Sequence, residues 1–195
     1  MENVQQLNIK EEPEETLSMD PVKFILWLFL VTIVMLFASQ SSAYLVRRAE
    51  GNWLEFQMPT IFWYSTGVLL LSSVSMHWAY IMAKKDQFNQ LKLAISITFA
   101  LGLIFLAMQF EGWKNLVDMN VYFVGNPSGS FFYVFTGLHG FHIISGLLVL
   151  IFAMIAAFRL KVSAKNMRQI QICVTYWHFL DLLWVYLFVF LLTFN

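Results

Sequence analysis

Residues 130–158 read SFFYVFTGLHGFHIISGLLVLIFAMIAAF and contain no lysine, arginine, aspartate or glutamate. A helix crosses the hydrocarbon core of a bilayer in ~20 apolar residues, so this stretch is long enough to span, and its length decides the fold. Four further apolar stretches of spanning length occupy about residues 22–46, 59–83, 91–113 and 169–194. The predicted fold is therefore all-α, a polytopic five-helix membrane bundle over residues 21–195. Composition agrees: 59% of the 195 residues are hydrophobic and only 12% charged, against the roughly 25% charged of a soluble domain. Lipid is the solvent that accepts so much apolar surface.

Local signals punctuate these helices. Asp20-Pro21 places an N-cap acceptor before a proline suited to the first helical turn. Arg47-Arg48 ends the first helix, Pro59 opens the second, and Lys84-Lys85-Asp86 closes it. Asn126-Pro127-Ser128-Gly129 has turn chemistry and is expected to finish the longest loop. Residues 1–20 carry six acids against one lysine and no apolar run, so they read as a solvated acidic tail rather than a cleavable signal.

Basic residues set the expected orientation. Lys10, Lys23, Lys84, Lys85, Lys92, Arg159, Lys161, Lys165 and Arg168 fall on the side of the first residue, and only Arg47, Arg48 and Lys114 on the other. Positive charge is retained in the cytoplasm, which puts the N-terminus inside and the C-terminus in the periplasm. With 12 basic and 12 acidic residues the net charge is zero, so no electrostatic field points to nucleic acid. Cys173 stands alone and can form neither an internal disulfide nor a cysteine zinc framework.

Polar groups within a span are expensive and therefore informative. His139 and His142 are three apart on the fourth helix, and His178 and Asp181 three apart on the fifth, so each pair projects from one helix face. Antiparallel packing brings both pairs to the middle third of the bilayer, where Asp181 is expected within hydrogen-bond reach of a histidine or another buried donor. One reading of the four is a metal or haem site, since imidazole is the commonest metal ligand. The reading preferred here is an intramembrane packing cluster that hydrogen-bonds between helices. Gly137, Gly140, Ser145 and Gly146 on the fourth helix, with Thr66, Gly67, Ser72, Ser73 and Ser75 on the second, are expected to let backbones approach closely. A small transporter is the competing class, but it calls for broken helices or a charged lining. Only Glu111 and Asp181 supply acids within the spans.

At these residues the chain resembles the subunit III family of haem-copper oxidases. FFYVFTGLHGFHIISG, residues 131–146, and YWHFLDLLWVYLF, residues 176–188, resemble its two signature segments. WLFLVTIVMLFASQSSAY at 27–44, VLLLSSVSMHW at 68–78 and LGLIFLAMQ at 101–109 support the match, and the five-helix length resembles the bacterial form. The resemblance implies an accessory subunit of a terminal oxidase in the bacterial cytoplasmic membrane, with no catalytic or metal-binding residue of its own. It implies haem and copper in partner subunits, packing beside subunit I in a complex with subunit II, support of proton uptake, bound phospholipid and a place in a respiratory supercomplex. Cytochrome c is the expected electron donor, with a quinol the alternative. One position departs: where the family's first-helix motif carries a glutamate, in a run like WLFLATEIMLF, this chain has Ile33.

Overall fold

The computed structural model describes residues 20–159 and 167–194. Among these residues stand five helices and no strand: α1 Pro21–Ala49, α2 Ile61–Lys84, α3 Phe88–Asp118, α4 Pro127–Phe158 and α5 Arg168–Phe194. Each is long and apolar enough to cross a membrane. The expected tail apart from Asp20, together with Lys161, Lys165 and Asn195, lies outside the described residues.

Two helices begin the same way. The Asp20 carboxylate accepts from the Val22 backbone N–H at 3.0 Å, and the Asn126 side-chain oxygen accepts from the Ser128 N–H at 3.0 Å, each with proline next in sequence. Both arrangements satisfy an N–H that would otherwise face the end of the helix without a partner. The fourth helix thus begins at Pro127 rather than at the expected residue 130, because the Asn-Pro pair acts as cap and first turn instead of as the end of a loop. α3 also continues about a turn past the expected residue 113, which buries Leu116.

Helices α2, α3, α4 and α5 form a square in which each packs on the next in chain order and α5 closes back onto α2. α1 stands outside it and rests on α4 and α5. Between apolar helices in lipid there is little hydrophobic drive to associate, so close fit and interhelical hydrogen bonds hold the bundle. Two tryptophans of α5, seven residues apart and so on one face, fill the square. Trp177 Nε1 donates to Ser72 Oγ of α2 at 3.1 Å while its ring lies over Gly102 of α3 and Gly146 of α4. Trp184 Nε1 donates to Thr66 Oγ1 of α2 at 2.9 Å, and its ring meets Phe105 of α3 at 5.1 Å between centroids. The outer surface is apolar, with Met35, Val74, Phe152 and Leu182 each about two-thirds exposed or more. That surface suits hydrocarbon.

Candidate intramembrane polar site

The four polar residues singled out on α4 and α5 do not converge on one point. His139 is fully buried, its ring 5.0 Å from that of Trp184 and edge-on to Phe105 at 6.0 Å. Neither of its ring nitrogens has a hydrogen-bond partner among the described residues. His142 faces α1: its ring is 5.8 Å from Phe37, and its Nδ1–H donates back to the Leu138 carbonyl at 2.7 Å. His178 faces α2, its Nδ1 2.7 Å from Ser73 Oγ and its ring 6.1 Å from that of His77. The Asp181 side chain is directed into protein and only 4% exposed.

The hydrogen bond expected of Asp181 is not formed. Its Oδ2 lies 3.8 Å from His178 Nδ1, an ion-pair separation outside hydrogen-bond range, and neither carboxylate oxygen has a hydrogen-bond partner among the described residues. The reason is competition one helix away. His178 Nδ1 is already engaged by Ser73, while His142 looks toward α1 and His139 packs between Trp184 of α5 and Phe105 of α3. Asp181 therefore belongs with Ser73, His178 and His77 at the α2–α5 seam. Among the described residues no three histidine, cysteine, aspartate or glutamate side chains are grouped as a metal would need.

The glycine expectations divide. A methyl group at Gly146 would stand 2.8 Å from Leu180 Cδ1 and 3.4 Å from Trp177, so this glycine does allow close approach. At Gly137 the nearest contact would be an ordinary 3.9 Å to Trp113, and at Gly140 nothing lies within 4 Å. These two are corrected: they sit on the half-buried side of α4, where no neighbouring backbone comes near. The tightest sites are elsewhere, at Gly129, 2.5 Å from the Tyr122 carbonyl oxygen, and at Gly112, 2.6 Å from the Phe62 ring, and Gly102 stands 2.8 Å from the Trp177 ring.

Several bonds that tie the helices together escaped the reading of motifs. Ser145 Oγ and Tyr176 Oη are 2.5 Å apart across α4 and α5, and Gln109 Nε2 donates to Ser65 Oγ at 3.2 Å across α3 and α2. Trp113 Nε1 donates to Thr136 Oγ1 at 3.0 Å across α3 and α4. The available signal was a tryptophan or tyrosine on one helix with serine or threonine at matching depth on another. Ile33, in place of the glutamate, is 3% exposed. It lies one turn from Phe37, the residue that meets His142.

Comparison with known proteins gives consistent matches. The family model for cytochrome c oxidase subunit III matches residues 14–195. Cytochrome c oxidase subunit 3 of Bacillus sp. (strain PS3) is 33% identical over 167 residues, which is 83% of this chain and 80% of that protein. The probable cytochrome c oxidase subunit 3 of Nocardia farcinica is 33% identical over 184 residues, 88% of this chain and 86% of the relative. Cytochrome bo(3) ubiquinol oxidase subunit 3 of Pseudomonas aeruginosa is 29% identical over 170 residues, 85% and 81% of the two chains.

Proposed function

The chain belongs to the cytochrome c oxidase subunit III family, and on that premise we propose that it packs beside subunit I of a terminal oxidase, with subunit II in the same complex, and carries no haem or copper of its own. Membership makes it a multi-pass membrane protein and an accessory subunit of an oxidase complex. The observation that carries the rest is the family match over residues 14–195, nearly the whole chain. The use of its polar side chains supports the reading: Ser72, Thr66, Thr136, Ser145 and Gln109 are spent joining helix to helix. Such a scaffold would support proton uptake and the durability of the catalytic subunit rather than electron transfer.

Cytochrome c is the proposed donor, on the names of the two relatives at 33% identity. The bo(3) relative keeps the quinol alternative in view. A partner subunit II bearing a binuclear copper site decides between them. The proposed membrane is the bacterial cytoplasmic one, with Lys23, Lys84, Lys85, Lys92, Arg159 and Arg168 on the inner side. Phospholipid is the proposed occupant of outer surfaces not covered by protein, and assembly into a respiratory supercomplex would lie beyond the core complex.

The deciding experiment is purification through a tag on this chain in mild detergent, with subunit identification and a haem spectrum before and after dissociation. Oxidase subunits I and II should copurify, and the haem spectrum should stay with them. Stoichiometric haem or copper left on the separated chain, or copurification without oxidase subunits, would overturn the reading.

A further inference from the structure

Both α1 and α2 rest on α5, and among the described residues they do not pack on each other. α5 is therefore the floor of a groove walled by the other two. Two hollows lie along α5: one of about 300 Å³ between α1 and α2, bordered by Lys23, Tyr80 and Thr175, and one of about 320 Å³ on the α1 side, bordered by Val34, Phe179 and Leu182. Between them in the order of α5 comes His178, with Ser73 2.7 Å away and Asp181 3.8 Å behind. The ring of His77 lies 6.1 Å from that of His178. His77 is exposed, and the His178 side chain is 34% exposed.

Depth makes this arrangement unusual. At ~1.5 Å per residue, Asp181 stands about 20 Å along a helix of about 40 Å, and His77 about 10 Å from the end of α2. Acyl chains at that level offer neither donor nor acceptor, and water is scarce, so exposed imidazoles backed by a carboxylate without hydrogen bonds are poorly served by lipid. The cluster holds one acid and no lysine or arginine, which favours an incoming donor over an acceptor.

We propose that the groove over α5 receives a membrane-spanning helix of another oxidase subunit, one that presents a hydrogen-bond-donating side chain, an amide, hydroxyl or guanidinium, to His77 and His178 in front of Asp181. This rests on the reading of the chain as an oxidase subunit and deepens it by assigning the docking face. The outer face of α3, diagonal to α5 in the square, is then left to lipid.

Cysteines introduced one at a time as Thr175→Cys, Leu182→Cys and, on α3, Leu103→Cys would each carry a benzophenone photo-cross-linker in membranes containing the assembled complex. The parent chain, with buried Cys173 alone, is the background. Adducts to another oxidase subunit are expected from 175 and 182 and not from 103. Adducts from 103 alone, adducts from 182 to a second copy of the chain or to lipid only, or none from any position, overturn the groove assignment. A chain that fails to copurify with oxidase subunits overturns the reading beneath it instead, so the two failures are told apart. His77→Leu changes an exposed side chain and should spare the fold. It is expected to lower several-fold the share of membrane-inserted chain retained in the complex, and undiminished retention would overturn the proposal.

Discussion

At the scale of single residues, the bundle turns on a few tight fits around two tryptophans. At Gly102 an added methyl would meet the rigid Trp177 ring at 2.8 Å, and at Gly112 the Phe62 ring at 2.6 Å. Gly102→Ala and Gly112→Ala should each destabilise by about 1–3 kcal/mol through overpacking, measured as a fall in thermal or denaturant midpoint in detergent. Gly146→Ala should cost less, because the Leu180 methyl that it meets can rotate away, and Gly140→Ala should be neutral or gain up to ~1 kcal/mol in helix propensity. A ranking with Gly140 as the costliest position would contradict this account. The contrast shows how far residues were legible. Small residues on α4 and α2 were visible as a class, but which of them a neighbour approaches depends on helix rotation. No single sequence states that rotation. The hydrogen bond expected of Asp181 failed for the same reason: depth along a helix can be counted, whereas the claim of Ser73 on His178 requires the α2–α5 seam to be known. With its oxygens without hydrogen bonds, Asp181→Asn should leave the stability of the chain within about 1 kcal/mol and Asp181→Leu should not lower it by more, since the larger apolar side chain removes a penalty of about 1–3 kcal/mol rather than a bond.

At the scale of elements, hydropathy located every helix, and the ends went astray where capping chemistry sat beyond the apolar run. Asn126 is the instructive case. Its oxygen accepts from the Ser128 and Leu54 backbone N–H groups at 3.0 and 3.2 Å, and its amide donates to the Asn52 carbonyl at 3.1 Å. One side chain thus caps α4 and anchors the loop between α1 and α2. Asn126→Ala should cost about 1–2 kcal/mol as a lost cap and, more specifically, should increase protease cleavage around residues 50–57 relative to the other connections. Uniform cleavage across all connections would show that the anchor is unimportant. Asp20 also does two things: it caps α1 and forms a 2.7 Å ion pair with Arg168 at the start of α5. Asp20→Asn keeps the cap and loses the pair, and because both groups are partly exposed the expected loss is at most about 1 kcal/mol, fading as salt is raised. A salt-independent loss would assign the effect to the cap.

At the scale of the whole molecule, four helices make a closed square and α1 leans on its α4–α5 edge, attached by packing and by few polar ties. Those ties are long-range. Ser41 Oγ and Tyr186 Oη are 2.8 Å apart, and Tyr44 Oη donates to the Phe194 carbonyl at 3.0 Å, across sequence separations of 145 and 150 residues. Neither α2 nor α3 touches α1 among the described residues. α1 therefore has no partner in the bundle until α4 and then α5 have followed it, an interval of roughly 5–20 s to the end of α4 at about 5–20 residues per second. For that time α1 is a lone guest in the bilayer, open to capture by an insertion factor or a membrane protease. In pulse-labelled cells, a chain stopped after residue 126 should be inserted but cleared faster than the full one, and supplying residues 127–194 as a separate polypeptide should slow the clearance. The order of synthesis thereby acts as a checkpoint, since α1 gains somewhere to rest only once α4 and α5 have been made.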